Sequence, residues 1–269
     1  MNVSIKPNTI SSLSSVEFRA RVASGAFTGD TAFASPGNVQ ANLAILPKEY
    51  AFDFLAFCRA NPQPCPVIAV SEVGDPMIPT LGEKIDVRTN IPCYRVFREG
   101  RFIEERHDIS DLWQDDFVSF LIGCSYSFEE ALAAEGIPLH HREAGVTVPV
   151  FRTTIPLVSV GPFGGNMVVS MRSMKAKDAI RAIQITSRYP AVHGAPVHIG
   201  APSLIGIRDV NQPDWGGSLP VPDDEIPVFW ACGVTPQVAI ETARPRISIT
   251  HSAGCMLVTD LKNRGFSVM

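Results

Sequence analysis

Apolar residues recur every three to four positions in "PKEYAFDFLAFCRA" (47–60), where Tyr50, Phe54 and Phe57/Cys58 form one stripe. That spacing predicts a helix opened by Pro47 with one face in the core. Upstream, Ser14-Ser15-Val16-Glu17 has the S-x-x-E form of a capping box and Gly25 supplies a stop, so a helix is expected between them. "CPVIAVS" (65–71) is a short run rich in Val and Ile and reads as a buried strand. "DLWQDDFVSFL" (111–121) places Trp113, Phe117 and Leu121 four apart, which predicts a helix with one buried face. "NMVVSM" (166–171), "KAKDAIRAIQITSR" (175–188) and "PVHIG" (196–200) read as strand, helix and strand. "IPCYRVF" (91–97) and "VPVFRTT" (148–154) share a local pattern that puts Arg95 and Arg152 on similar strands.

Two segments share one grammar. In "SFLIGCSYSFEEALAAEG" (119–136) an apolar run reaches Gly123-Cys124-Ser125, and Ser127 with Glu130 has the form of a capping box. In "IPVFWACGVTPQVAIETA" (226–243) a second run reaches Cys232-Gly233, where Thr235 is expected to cap and Pro236 to start a helix. Each reads as strand, glycine turn and helix N-terminus, a geometry whose free N–H groups favour anions. Ordinary βα turns have the same pattern. The alternation as a whole predicts an α/β protein in two parts: a larger three-layer α/β/α domain over 1–145 plus 216–269, and a smaller α+β domain inserted over 146–215.

Composition narrows the function classes. A 269-residue chain with 45% apolar and 19% charged residues can bury a sizeable core. No run approaches the ~20 apolar residues of a membrane span. "MNVSIKPNTISSLSS" lacks the basic start and apolar centre of a signal peptide, so a cytoplasmic protein is expected. A net charge of −4 without a basic stripe argues against nucleic acid. The six cysteines form no C-x-x-C pair, which argues for reduced thiols rather than a zinc knuckle or redox dithiol.

His193 and His198 are five apart across Gly194 and Pro196, a spacing that matches neither helical nor strand ligand pairs, so no metal is expected. "GCSYS" begins like the G-x-S-x-G elbow but has Ser127 where the second glycine belongs. Cys124, just before a helix N-terminus, is a candidate nucleophile or a small buried side chain. What remains suits acid–base work on a small acidic molecule. Arg152 and Arg172 are carboxylate clamps, and His193, His198 and His251 exchange protons near neutral pH.

The ordered blocks "NVQANLAILP" (38–47), "FLIGCSYSFEEAL" (120–132), "GPFGGNMVVSMR" (161–172), "RYPAVHGAPVHIG" (188–200), "PVFWACGVTPQ" (227–237) and "ITHSAGCMLVTD" (249–260) resemble the D-glutamate cyclase family of hydro-lyases over nearly the whole chain. Two positions depart from the pattern: Ala201 after "HIG" and Gly217 in the following turn stand where acidic residues are expected, while Asp209 and Asp214 remain. The resemblance implies a two-part α/β fold, a place in amino-acid metabolism, and dehydration of D-glutamate to 5-oxo-D-proline. No P-loop motif is present and no cofactor is expected. Cyclisation needs a base for the amine, an acid for the leaving hydroxyl, a carboxylate clamp and oxyanion donors. These roles are expected of His193, His198, His251 and Cys124 as catalytic groups, and of Arg152, Arg172, Ser125, Gly233 and Thr235 as substrate contacts. The alternatives are a hydro-lyase acting on a hydroxy acid and a non-catalytic carboxylate-binding accessory protein. Expected partners are the small acidic substrate and further copies of the same chain in a homo-oligomer.

Overall fold

A computed structural model describes residues 10–268; residues 1–9, on which the expectation about a signal peptide falls, and Met269 lie outside the described residues. Helix α1 (Ser15–Ala23) has the expected capping box, with Glu17 N–H donating to Ser14 Oγ and Ser14 N–H donating to Glu17 Oε2 at 2.9 Å. It ends in a Schellman motif: Ala26 N–H bonds Arg21 O, Gly25 N–H bonds Val22 O, and Gly25 takes the required positive φ of 72°.

The larger sheet is built around β1 (Asn38–Pro47), all ten residues of which are buried. The path runs β2 (Val67–Val70), β5 (Phe117–Gly123), β1, β10 (Ser248–His251), β3 (Tyr94–Arg98) and β4 (Arg101–Arg106), and β11 (Leu257–Lys262) pairs with the start of β1. The smaller sheet has the order β6 (Val150–Pro156), β7 (Asn166–Met174), β9 (Ile226–Ala231), β8 (His198–Ile199). Every named ladder is antiparallel. The result is a mixed α/β protein with two sheets, as the alternation predicts. Strand β9, C-terminal to position 215, belongs to the smaller sheet through pairing with β7 from Val169↔Ala231 to Met174↔Ile226.

Helix α2 (Lys48–Ala60) follows β1 directly, with Pro47 as its N-cap, and buries Phe54, Phe57 and Cys58. Phe54 meets Phe120 of β5 at 4.8 Å and Phe163 of the β6–β7 connection at 5.1 Å between ring centroids. Phe151 and Phe229 of the smaller sheet belong to the same cluster, so one apolar core joins the two sheets. Helix α5 (Ala176–Thr186) follows β7 and buries Ala179, Ala182 and Ile185.

Four expectations are corrected. Residues 111–121 form no helix: a 3₁₀ turn at Ser110–Leu112 leads into β5. Phe117 and Leu121 are four apart, which fits one face of a strand as well as a helix, and β5 is buried on both faces. Strand β2 is half-buried rather than buried because it is the sheet edge, with Val70 41% exposed. Ser127 does not cap helix α3 (Tyr126–Ala134); it is the second helical residue and its Oγ accepts from Gln40 N–H at 3.0 Å. Thr235 is not a cap either but the first residue of helix α6 (Thr235–Ala243), its hydroxyl accepting from Val168 N–H and donating to Val168 O. In both cases a neighbouring strand claims the hydroxyl that a cap would use.

Helix α2 gives an internal test of the packing. Phe54→Ala is expected to lower stability by about 3–5 kcal/mol, read as a lower urea midpoint with an unchanged m-value. Phe52→Ala, at a side chain 81% exposed on the same helix, is expected to stay within about 0.5 kcal/mol of the parent protein.

Candidate functional site

The two sheets meet in a dry core at one end and a polar junction at the other. Along β1 the side chains at 44 and 46 are apolar and join the shared core, whereas those at 38, 40 and 42 on the same face are Asn, Gln and Asn. Asn42 Nδ2 donates to Gly123 O at 2.9 Å, at the end of β5. A Cβ on Gly233, at the end of β9, would run into the Asn42 side chain. One amide thus sits between the two glycine turns, and both turns need glycine because a backbone or an amide occupies the space of a side chain.

Arg172 of β7 lies beside this junction at 3% exposure. Its Nε and Nη2 donate to Glu129 Oε1 of α3, its Nη2 also to Ser125 Oγ at 3.1 Å, and its Nη1 to Ser170 Oγ at 3.1 Å. The guanidinium lies 5.4 Å from the centroids of both the Phe128 and Trp230 rings, which pack against each other 5.8 Å apart. His141, in the short helix α4 (His140–Glu143), brings Nε2 to 3.0 Å from Glu129 Oε1, at an angle that makes an ion-pair contact rather than a hydrogen bond. Burial alone would raise the Glu129 carboxyl, but His141 and Arg172 outweigh it and hold the pKa at about 2. Glu129 Oε2 is buried and has no hydrogen-bond partner among the described residues.

The cluster extends to a second carboxylate. The ring of Tyr126 stacks on His141, 6.1 Å apart and 15° from parallel, and its hydroxyl reaches Asp30 Oδ2 at 3.5 Å. Asp30 also accepts from Thr147 Oγ1 and from Ala32 N–H. Burial raises the Asp30 pKa, opposed by these hydrogen bonds.

His193 stands on the other side of the Gly123 turn. It is 1% exposed and has a left-handed backbone, φ 85°, a conformation that costs a non-glycine residue on the order of 1–3 kcal/mol. Its Nδ1–H donates to Gln63 O at 2.9 Å, which sets the tautomer; Nε2 is buried with no hydrogen-bond partner among the described residues. Burial lowers its pKa to about 4; the contacts with the Gln63 and Gly123 backbone oppose the shift and the charge of Arg172 adds to it.

The other expected site residues are dispersed or committed. His251 is buried in β10, its Nδ1 accepting from Leu43 N–H at 3.1 Å, and burial lowers its pKa to about 4. His198 lies on the edge strand β8, donates to Ala201 O at 2.8 Å and packs on Phe229. Arg152 is half-exposed, paired with Glu241 and stacked on Trp215. Thr235 is held by Val168. Cys124 and Cys232 pack among Tyr126, Val148 and Val234. Burial pushes the Cys124 thiol far up and Cys232 to about 11, so neither is a ready thiolate. Arg172, Ser125, Cys124, Gly233 and His193 do gather at the junction. Glu129, His141, Asp30, Tyr126 and Asn42 join them without having been singled out in the sequence. The visible signals for them were the polar set Asn38, Gln40, Asn42 in an otherwise apolar strand and the Glu129-Glu130 pair after a glycine turn. Among the described residues no three His, Cys, Asp or Glu side chains converge as metal ligands would, and no helix is long and apolar enough to cross a membrane.

A family described as D-glutamate cyclase matches residues 118–260, a span that holds Glu129, His141, Arg172, His193 and His251. A protein of Bradyrhizobium diazoefficiens is 60% identical over 245 residues, 91% of this chain and 90% of its own length. One of Bordetella petrii is 57% identical over 258 residues, 95% of this chain and 98% of its own. Both bear the name "Putative hydro-lyase". A solved nitrogen repressor-like protein of Methanococcus jannaschii aligns over 91% of this chain and 98% of its own with a TM-score of 0.39 and 11% identity, too distant to inform the fold.

The buried rings make stability depend on pH. His193 and His251 have folded pKa values near 4 against an ordinary 6.5. The unfolded chain therefore binds protons that the folded chain refuses between those limits. Stability is full above pH 6.5 and falls as the pH drops towards 4, by on the order of 3 kcal/mol per ring. His193→Gln and His251→Gln are each expected to flatten the pH dependence of the urea midpoint in that window. An unchanged slope would mean that the rings protonate as easily in the folded protein.

Proposed function

Because the chain belongs to the D-glutamate cyclase family, we propose that it is a hydro-lyase closing D-glutamate to 5-oxo-D-proline with loss of water at the junction beside Arg172. The observation that carries the reading is that two of the buried atoms without a partner among the described residues, His193 Nε2 and Glu129 Oε2, lie near the turn at Gly123-Cys124-Ser125. Each represents a desolvation cost of about 1–3 kcal/mol in the empty fold that a ligand with donors could offset.

The reaction forms a bond from the α-nitrogen to the γ-carboxyl carbon and breaks one C–O bond; two protons leave the ammonium and depart with the carboxylate oxygen as water. The neutral His193 ring, with its tautomer set by Gln63, is suited to take the first proton at Nε2 and return it to the leaving oxygen. Glu129 stays ionised throughout the physiological range, so it is an acceptor for the ammonium rather than an acid. Arg172 and Ser125 are placed to stabilise negative charge developing on the γ-carboxyl oxygens. In this reading His198, His251 and Arg152, which lie away from the junction, leave the chemical step to these groups.

The test is incubation of the purified protein with D- and L-glutamate, following 5-oxoproline by chiral chromatography. Turnover of the D-isomer alone is expected, and His193→Gln is expected to lower kcat by about 10²–10⁴-fold while the protein stays folded. Ultraviolet-absorbing alkene from a hydroxy acid would replace the reading with elimination. Binding of D-glutamate without turnover would replace it with a carboxylate-binding accessory role.

A further inference from the structure

An open cleft of about 610 Å³ lies between the β3–β4 hairpin of the larger sheet and Trp215, which bridges to Val150 of the smaller one. Its walls are Arg95, Phe102, Glu104, Glu105, Trp215, Ser252 and Ala253. Arg95 and Glu105 are direct cross-strand partners, the arrangement in which opposite charges ordinarily pair. Here they do not. The Arg95 guanidinium lies over the Phe102 ring at 4.5 Å, and no described carboxylate is within ion-pair distance of it. The Glu105 carboxylate instead accepts from Ser252 Oγ at 3.0 Å. Glu104 is engaged by Arg106. With Glu104 paired to Arg106, the cleft presents one cation without a carboxylate partner and one further anion, both steadied by neighbours, against a flat aromatic wall.

We propose that this cleft binds a free α-amino acid in its zwitterionic form, the carboxylate on Arg95 and the ammonium on Glu105. A simple anion would find Glu105 repulsive and a simple cation would find Arg95 repulsive, whereas a zwitterion satisfies both. The cleft also adjoins the buried junction. Its floor, Ser252-Ala253, continues into Gly254, whose left-handed φ of 85° lays the loop against Asp30 so closely that a Cβ there would strike the carboxylate. Thr31 N–H bonds Gly254 O at 2.8 Å, and Asp30 is the outer end of the Tyr126–His141–Glu129 cluster. The cleft is therefore the outer capture site on the way to that cluster, a role that rests on the cyclase reading; the binding itself does not.

Trp215 supplies the readout. D-glutamate, and glutarate as the analogue lacking the ammonium, are titrated into the full chain while the initial tryptophan emission change is followed. D-glutamate is expected to give a saturable change that Trp215→Phe abolishes. Arg95→Met and Glu105→Gln are each expected to raise its dissociation constant about tenfold, with thermal unfolding unchanged. Glutarate is expected to bind more weakly and to gain from Glu105→Gln. No saturable change, a change that survives Trp215→Phe, or affinities unaffected by both charge substitutions would overturn the proposal. A Trp215 response without turnover would sink the cyclase reading and keep the cleft; turnover without the response would do the reverse.

Discussion

Arg172 carries a charge that no protein environment can remove, and it sits at 3% exposure. Everything around it is arranged to make that burial tolerable. Glu129 comes from α3, Ser125 from the turn between β5 and α3, Ser170 from β7 itself, and the two adjoining rings from α3 and β9. A buried ion pair is poor evidence of stability, since the same space filled by apolar side chains is often as stable or more so. What this one does is fix register: α3 must start where Ser125 and Glu129 both reach the guanidinium, and β5 must end one residue before Cys124. One cation thereby ties both sheets to the helix between them.

The junction inherits its polarity from β1. Ala44 and Leu46 face the shared aromatic core, while Gln40 and Asn42 on the same face spend their side chains on backbone groups of Thr31, Ile122 and Gly123. The interface changes from dry to polar within one strand. Among the described residues, Glu129 Oε2 and His193 Nε2 are buried here without a hydrogen-bond partner, as are His141 Nε2 beside Glu129 and, elsewhere, Ser119 Oγ, Ser248 Oγ and Asn263 Oδ1. Buried polar groups without partners are uncommon in folded proteins and concentrate where a ligand completes them. The same turn is bounded by the left-handed backbone of His193, so a torsional cost falls beside these unpaired atoms.

Local signals were legible wherever the answer was local. The capping box at Ser14 and Glu17, the glycine stop at Gly25 and the apolar stripe of 47–60 each concern groups within one or two turns of each other, and the structure agrees with all three. Ser127 and Thr235 matched cap patterns equally well, yet Gln40 and Val168 claim their hydroxyls from 87 and 67 residues away. Phe117 and Leu121 fit a helix face until β1 and β2 paired with both edges of the segment. The ordered blocks that mark the family were likewise legible, because family resemblance is itself a property of the sequence.

The site divides along the same line. Arg172, Ser125, Cys124, Gly233 and His193 stood out in the sequence by chemistry or by turn grammar. Glu129, His141, Asp30 and Asn42 did not, because a carboxylate, an imidazole or an amide acquires its role only from what it is buried against. By itself the sequence determined the element chemistry, the glycine turns, the two-part α/β class and the family. Only the tertiary structure decided which histidines are buried, which glutamate is held ionised and which arginines are buried. Desolvation and charge pairing depend on groups brought together across scores of residues, and no local pattern encodes those distances.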